Sequence, residues 1–251
     1  MISTQDNIVP VEGLTTRQTQ ILKALIDEYI TTAEPVGSQA LEKKYNLGVS
    51  PATIRNEMVN LTRTKFLRQP HTSAGRVPTP QAMKFYINQL MEEKNMSLTE
   101  EVKAKEGVWD SRENFDKLMT EATHALASKT DSIAVAATDD GDTWRWGYDN
   151  IFNHPEFQDL LVCQQVFEVL EEQKRLHELF FDRFTGLSPI EVLFGEELGW
   201  PHFEPVSVIA THFEADGHKG VLAVVGPFRF NYSSVIPTVR HFRNLIEELA
   251  G

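Results

Sequence analysis

The stretch VSPATIRNEMVNLTRTKFLRQPHTSAGRVPT, residues 49–79, sets a helix signal directly before a hairpin signal. Ser50 can accept from the free amides of a first helical turn, and Pro51 is tolerated just inside because no carbonyl waits for its missing N–H. The spacing predicts a helix starting there. Ile54, Met58 and Leu61, four and three apart, face a core and leave Ala52, Thr53, Arg55, Asn56 and Asn60 on the other faces. Phe66 and Leu67 then open one short strand and Arg76-Val77-Pro78 closes a second, with Ala74-Gly75 expected to supply positive dihedral angles to the turn between them. Taken alone, the helix fits an ordinary amphipathic element with a solvated face.

Working outward, the neighbouring elements change that reading. Thr15 or Thr16 can cap a helix running to about Thr32, with Ile21, Leu22, Leu25, Ile26, Tyr29 and Ile30 on the helical period. Glu34-Pro35-Val36-Gly37 breaks the chain, Ser38 is expected to cap a shorter helix through Tyr45 with Leu41 inward, and Asn46-Leu47-Gly48 stops it. Three short helices followed by a hairpin is the order of a winged helix-turn-helix domain, whose third helix reads the major groove. Arg and Asn near a helix start suit bidentate contacts to base edges, and a small residue or Thr can meet a thymine methyl.

Charge is partitioned in the same way. The 251-residue chain carries 24 Lys and Arg against 36 Asp and Glu, a net of -12. Residues 14–88 hold ten bases and five acids, a local +5, which leaves -17 on the remainder. Arg55, Arg63, Lys65, Arg68 and Arg76 fall on the expected recognition helix or wing, where neutralising phosphates gives affinity that depends on salt. Lys43 and Lys44 are further candidates for backbone contact.

The carboxy-terminal half reads as mixed helix and strand. Ile133–Ala137 and Trp144–Tyr148 flank an Asp-rich turn, and Val162–Leu179 is helical. Ile190–Phe194, Val206–Phe213 and Val221–Val225 are strands, the last two turning at Gly217. The simplest arrangement is an antiparallel sheet with helices on one side. Phe228, Phe230 and Tyr232 alternate, as core, interface or pocket lining would.

Composition narrows the function classes. The length allows two domains with real cores, and hydrophobic content is ordinary for a soluble protein. No signal peptide or membrane span is visible, so residues 1–13 are expected to be a disordered lead. The single Cys163 cannot form an internal disulfide and points to a reducing cytoplasm. None of the eight histidines has metal-motif spacing, and no Gly-x-Ser-x-Gly, Walker or dinucleotide pattern occurs. Asp139, Asp140 and Asp142 around Gly141 lack the closing Glu of a calcium loop. Gly195-Glu196-Glu197, read as a strand, would send its two carboxylates to opposite faces. No enzyme, metal or cofactor is expected.

Several unusual strings then occur in a fixed order. LTTRQTQILKALIDEYITTAEPVGSQAL (14–41), VSPATIRNEM (49–58) and QPHTSAGRVPT (69–79) closely resemble the amino-terminal domain of the HrcA family of bacterial heat-inducible transcription repressors. VLAVVGPFRFNYSSVIPTVRHFRNLIEEL (221–249) is similar to the family's carboxy-terminal end, and Ile151–Phe157 and Phe194–Glu197 resemble shorter family segments.

The resemblance implies an α+β chain. Residues 14–93 would be the winged-helix domain, 94–130 a helical linker, and 131–251 a GAF-like regulatory and dimerisation domain. It implies a dimer that holds an inverted-repeat operator in double-stranded DNA upstream of chaperone genes, releases it on heat shock, and is supported by the chaperonin GroEL. The residues that match the DNA-contacting region are Ser50, Thr53, Arg55 and Asn56 on the helix, and His71, Thr72, Ser73, Gly75 and Arg76 on the wing.

One departure stands out. Family members are usually some ninety residues longer, with an inserted dimerisation subdomain in the middle, and here that interval is short. Dimer contacts are therefore expected from the closing domain or the helix around Phe115–Leu126. Two other functions fit parts of the chain: a regulator gated by a small ligand in its second domain, and an interaction protein that has lost DNA binding. The Arg55, Asn56 and Arg76 side chains argue against the latter.

Overall fold

The computed structural model describes residues 13–250, so all but the last residue of the expected lead lies outside them. The chain divides into two compact units that meet between Met91 and Glu92, two residues before the expected boundary.

In the first unit, α1 (Thr16–Thr32) is capped by Thr15. The Thr15 hydroxyl accepts from the Gln18 amide at 3.2 Å and the Gln18 side chain accepts from the Thr15 amide at 3.0 Å, so two otherwise orphaned donors are satisfied reciprocally. Ile21, Leu22, Leu25 and Ile26 are fully buried. The short helix α2 (Ser38–Lys44) is capped by Gly37, not by Ser38, which is already helical. The cause lies one residue earlier. Val36 is held extended by a two-way backbone pair with Arg76, so the chain turns helical only after Gly37.

Helix α3 (Pro51–Arg63) begins as expected, with the Ser50 hydroxyl accepting from the Thr53 amide, and buries Ile54, Met58 and Leu61. It closes on Lys65, a left-handed residue (φ 65°). There the Phe66 amide reaches the Leu61 carbonyl and the Lys65 amide the Thr62 carbonyl, which is the double bond of a Schellman ending. The hairpin is shorter than expected: β1 (Leu67–Arg68) pairs antiparallel with β2 (Val77–Pro78), leaving Phe66 and Arg76 outside the strands. Gly75 does not have a positive φ. A Cβ there would sit 2.4 Å from the Val36 carbonyl oxygen, so glycine is required by close backbone approach, not by the turn. Helix α4 (Pro80–Phe85) runs on as a π-helical turn to Leu90, and Tyr86 donates to Asp27 of α1 at 2.6 Å.

The second unit opens with α5 (Leu98–Trp109) and α6 (Phe115–Thr130), then builds a five-stranded antiparallel sheet. Its strands are β3 (Ile133–Thr138), β4 (Thr143–Trp146), β5 (Glu191–Phe194), β6 (Val206–Ala215) and β7 (His218–Pro227), ordered β4-β3-β7-β6-β5. Strand β4 stops before Tyr148 because Gly147 turns away with φ 85°. The expected 162–179 helix is interrupted at the extended Glu172, giving α7 (Leu160–Glu171) and α8 (Gln173–His177), followed by a π-helical turn. Gly195–Leu198 is the short helix α9, not a strand, and its Glu197 carboxylate accepts from the Phe194 amide.

Helices cover both faces of the sheet, which corrects the one-sided expectation. Val135, Val208, Ala223 and Val225 pack with Val162, Val166, Leu170, Leu176 and Phe180 on one side. Helix α6 and the long α10 (Tyr232–Ala250) pack on the other, over the alternate strand residues. Helix α6 is therefore part of this core and not a linker. Trp144 of β4 donates to its Asp116 at 2.8 Å. Phe228, Phe230 and Tyr232 are core as well. The Tyr232 hydroxyl donates to the Phe228 carbonyl at 2.6 Å and lies 3.1 Å from Ser207. Cys163 is buried with its thiol 3.0 Å from the Phe157 carbonyl, and burial pushes its pKa up, away from reactivity.

Candidate nucleic-acid interface

Burying Ile54, Met58 and Leu61 turns the rest of α3 outward. Arg55, Asn56 and Arg63 are exposed and make no side-chain hydrogen bond or ion pair with any described residue. Their donors are free to meet another molecule. Asn60, also exposed, instead donates to Glu57 at 3.3 Å, and the same Glu57 oxygen accepts from Gln18 of α1 at 3.0 Å. That chain of bonds fixes the rotation of α3 against α1. Ser50 and Thr53 are joined to each other through their hydroxyls at 3.1 Å, and Ser50 already serves as the cap. Ser50 thus acts first as a helix start.

Beyond α3, the loop from Gln69 to Gly75 projects His71, Thr72 and Ser73 into solvent. Gln69 organises it. Its side-chain amide donates to the Thr72 carbonyl at 2.8 Å and the Ala74 carbonyl at 3.0 Å, while the Ala74 amide reaches His71. Lys65 and Arg68 are exposed on the approach to the loop. Arg76 lies elsewhere than at the tip. Its Nε donates to the Thr62 hydroxyl of α3 at 3.1 Å, and its backbone pairs with Val36. The guanidinium therefore ties the hairpin base to α3. Lys44, a further candidate, is engaged by Glu28. Tyr45 donates to the same carboxylate, and burial together with that charge pushes its hydroxyl up to about 12.

Gln69, Thr62 and the Gln18–Glu57 pair were not legible as site residues in the sequence. Each acts through a bond to a backbone atom or to a residue distant in the chain, and no local pattern encodes such a bond.

The family model for the HrcA protein C-terminal domain matches residues 55–236, more than two thirds of the sequence. The chain belongs to the HrcA family. A heat-inducible transcription repressor HrcA from Carboxydothermus hydrogenoformans is 25% identical over 336 aligned positions, covering 94% of this chain and 98% of the relative. An alignment that long over so much of a 251-residue chain leaves about a hundred positions where the relative carries residues absent here. The HrcA of Symbiobacterium thermophilum is 42% identical over 119 residues, covering 47% of this chain and 35% of the relative. A crystal structure described only as that of a hypothetical protein superposes with a TM-score of 0.73 at 18% identity, over 94% of this chain and 98% of that one, and so shares its fold. Among the described residues, no His, Cys, Asp and Glu cluster could hold a metal ion, and no helix is long and apolar enough to cross a membrane.

Proposed function

We propose that the chain represses transcription of heat-shock genes by holding operator DNA through its first unit. The observation that carries this reading is the free row of Arg55, Asn56 and Arg63 on a helix whose opposite side is locked into the core, set beside a hairpin tied to the same helix. A winged helix-turn-helix accounts for that arrangement: α3 is the recognition helix, and His71, Thr72 and Ser73 at the wing tip approach the backbone or minor groove. Arg55 and Asn56 read bases; Arg63, Lys65 and Arg68 neutralise phosphate.

The names of the relatives support heat-inducible repression. The second unit, an antiparallel sheet between helices, is read as a GAF-like domain that pairs two copies on an inverted repeat, with chaperonin GroEL as a supporting partner. The ligand-gated alternative has less to stand on, because Phe228, Phe230 and Tyr232 fill the core instead of lining a pocket.

Binding of the purified protein to an inverted-repeat operator from a chaperone promoter, against scrambled DNA, tests the reading at two temperatures. Specific binding lost on mild heating supports it, whereas equal affinity for both DNAs overturns it.

A further inference from the structure

Three of the eight large apolar side chains left exposed among the described residues fall within ten positions: Phe152 (56% exposed), Leu160 (77%) and Leu161 (49%). Single exposed apolar residues are ordinary, but a cluster around a depression is not. Two open grooves of about 570 and 590 Å³ adjoin here and share Phe152, Phe167 and Glu171. Tyr148 lies at one end and Leu160 at the other. The Tyr148 ring meets Phe167 edge-on at 5.4 Å, and its hydroxyl donates to Glu171 at 2.7 Å, so the aromatic floor is held in place.

Charge identifies the occupant. Asp149, Glu168 and Glu171 stand among the lining residues, and no Lys or Arg does. Arg175 approaches Glu168 only at 3.7 Å, from outside the groove. A second copy presenting the same surface would set three carboxylates against three, and the sequence beyond residues 14–88 carries -17 overall. We propose that this acid-rimmed apolar groove docks a cationic amphipathic segment of a partner protein, its apolar residues on Phe152, Phe167 and Leu160 and its Lys or Arg residues on Asp149, Glu168 and Glu171. Helix-in-groove recognition of this kind takes its affinity from the apolar anchors and its selectivity from the charged rim.

A fluorescein-labelled Leu/Lys amphipathic helical peptide of about four turns, and a Leu/Glu peptide of the same pattern, would be titrated against the whole protein by anisotropy. The expected result is saturable one-to-one binding of the Leu/Lys peptide alone. Phe152→Ser should weaken it about tenfold or more, the range of a truncated interface anchor. The paired Glu168→Gln and Glu171→Gln variant should weaken it several-fold and flatten its salt dependence. Both substitutions lie at accessible positions, and unchanged thermal unfolding would verify that each variant is folded. Equal binding of the two peptides, or equal binding by wild type and Phe152→Ser, overturns the proposal. So does sedimentation showing that wild type self-associates and Phe152→Ser does not, since the groove would then be covered by a second copy.

Discussion

Arg55 and Asn56 are exposed and unbonded, so on the proposed reading their removal is expected to leave the first unit folded and to change DNA binding alone. Arg55→Ala or Asn56→Ala is expected to reduce discrimination between operator and a base-substituted site by about 1–3 kcal/mol, measured by competition binding. Arg76→Ala should behave differently, because its half-buried guanidinium donates to the Thr62 hydroxyl of α3. It should loosen the hairpin against α3 and weaken binding to operator and scrambled DNA alike, measured by competition binding. Lys65 combines two roles, a left-handed residue that closes α3 and an exposed charge. Lys65→Gly should raise thermal stability by up to about 1 kcal/mol while weakening DNA binding, since glycine occupies that region without penalty. A fall in both would show that the lysine stem contributes packing. Gly75→Ala should destabilise the unit, because its methyl would meet the Val36 carbonyl.

At the scale of elements, the helices and strands with a strong period were legible in the sequence: α1, α3 and the β6–β7 hairpin fall almost where the apolar spacing put them. The errors have physical causes. IAVAA and VLAVV are continuous apolar runs without polar alternation, the mark of strands covered on both faces, and this should have announced the second helical layer. The break at Glu172 has no Pro or Gly to signal it. Arg76 is expected in the closing strand and Gly75 as a turn glycine, whereas both belong to a backbone crossing with Val36 that lies forty residues away in sequence. Another long-range tie gives a pH prediction. Glu93, at the start of the second unit, takes two bonds from Arg240 of α10 at 2.7 and 2.9 Å, and these hold its carboxyl below the ordinary carboxylate range. A depressed native pKa adds stability that is present above the unfolded value and lost as pH falls through the native one. Glu93→Gln should therefore lower the unfolding temperature at neutral pH and leave it nearly unchanged in strong acid; an equal loss at both would indicate packing instead.

Across the whole molecule, the basic charge is confined to the amino-terminal stretch while the remainder is acidic, so DNA binding on the proposed reading is expected to fall with salt. With Arg63, Lys65 and Arg68 on phosphate, each half-site should contribute a slope of about -3 in log affinity against log salt, and a dimer on both half-sites about twice that. A slope near zero in a salt titration would remove phosphate contact from the account. The sheet carries a different consequence. Its outermost strands, β4 and β5, are four residues long, while the ten-residue β6 and β7 lie inside. Short edges offer little template for strand-to-strand sticking between molecules. Material kept from pairing edge to edge in this way is expected to stay in solution through a cycle of heating and cooling, which light scattering before and after the cycle would check.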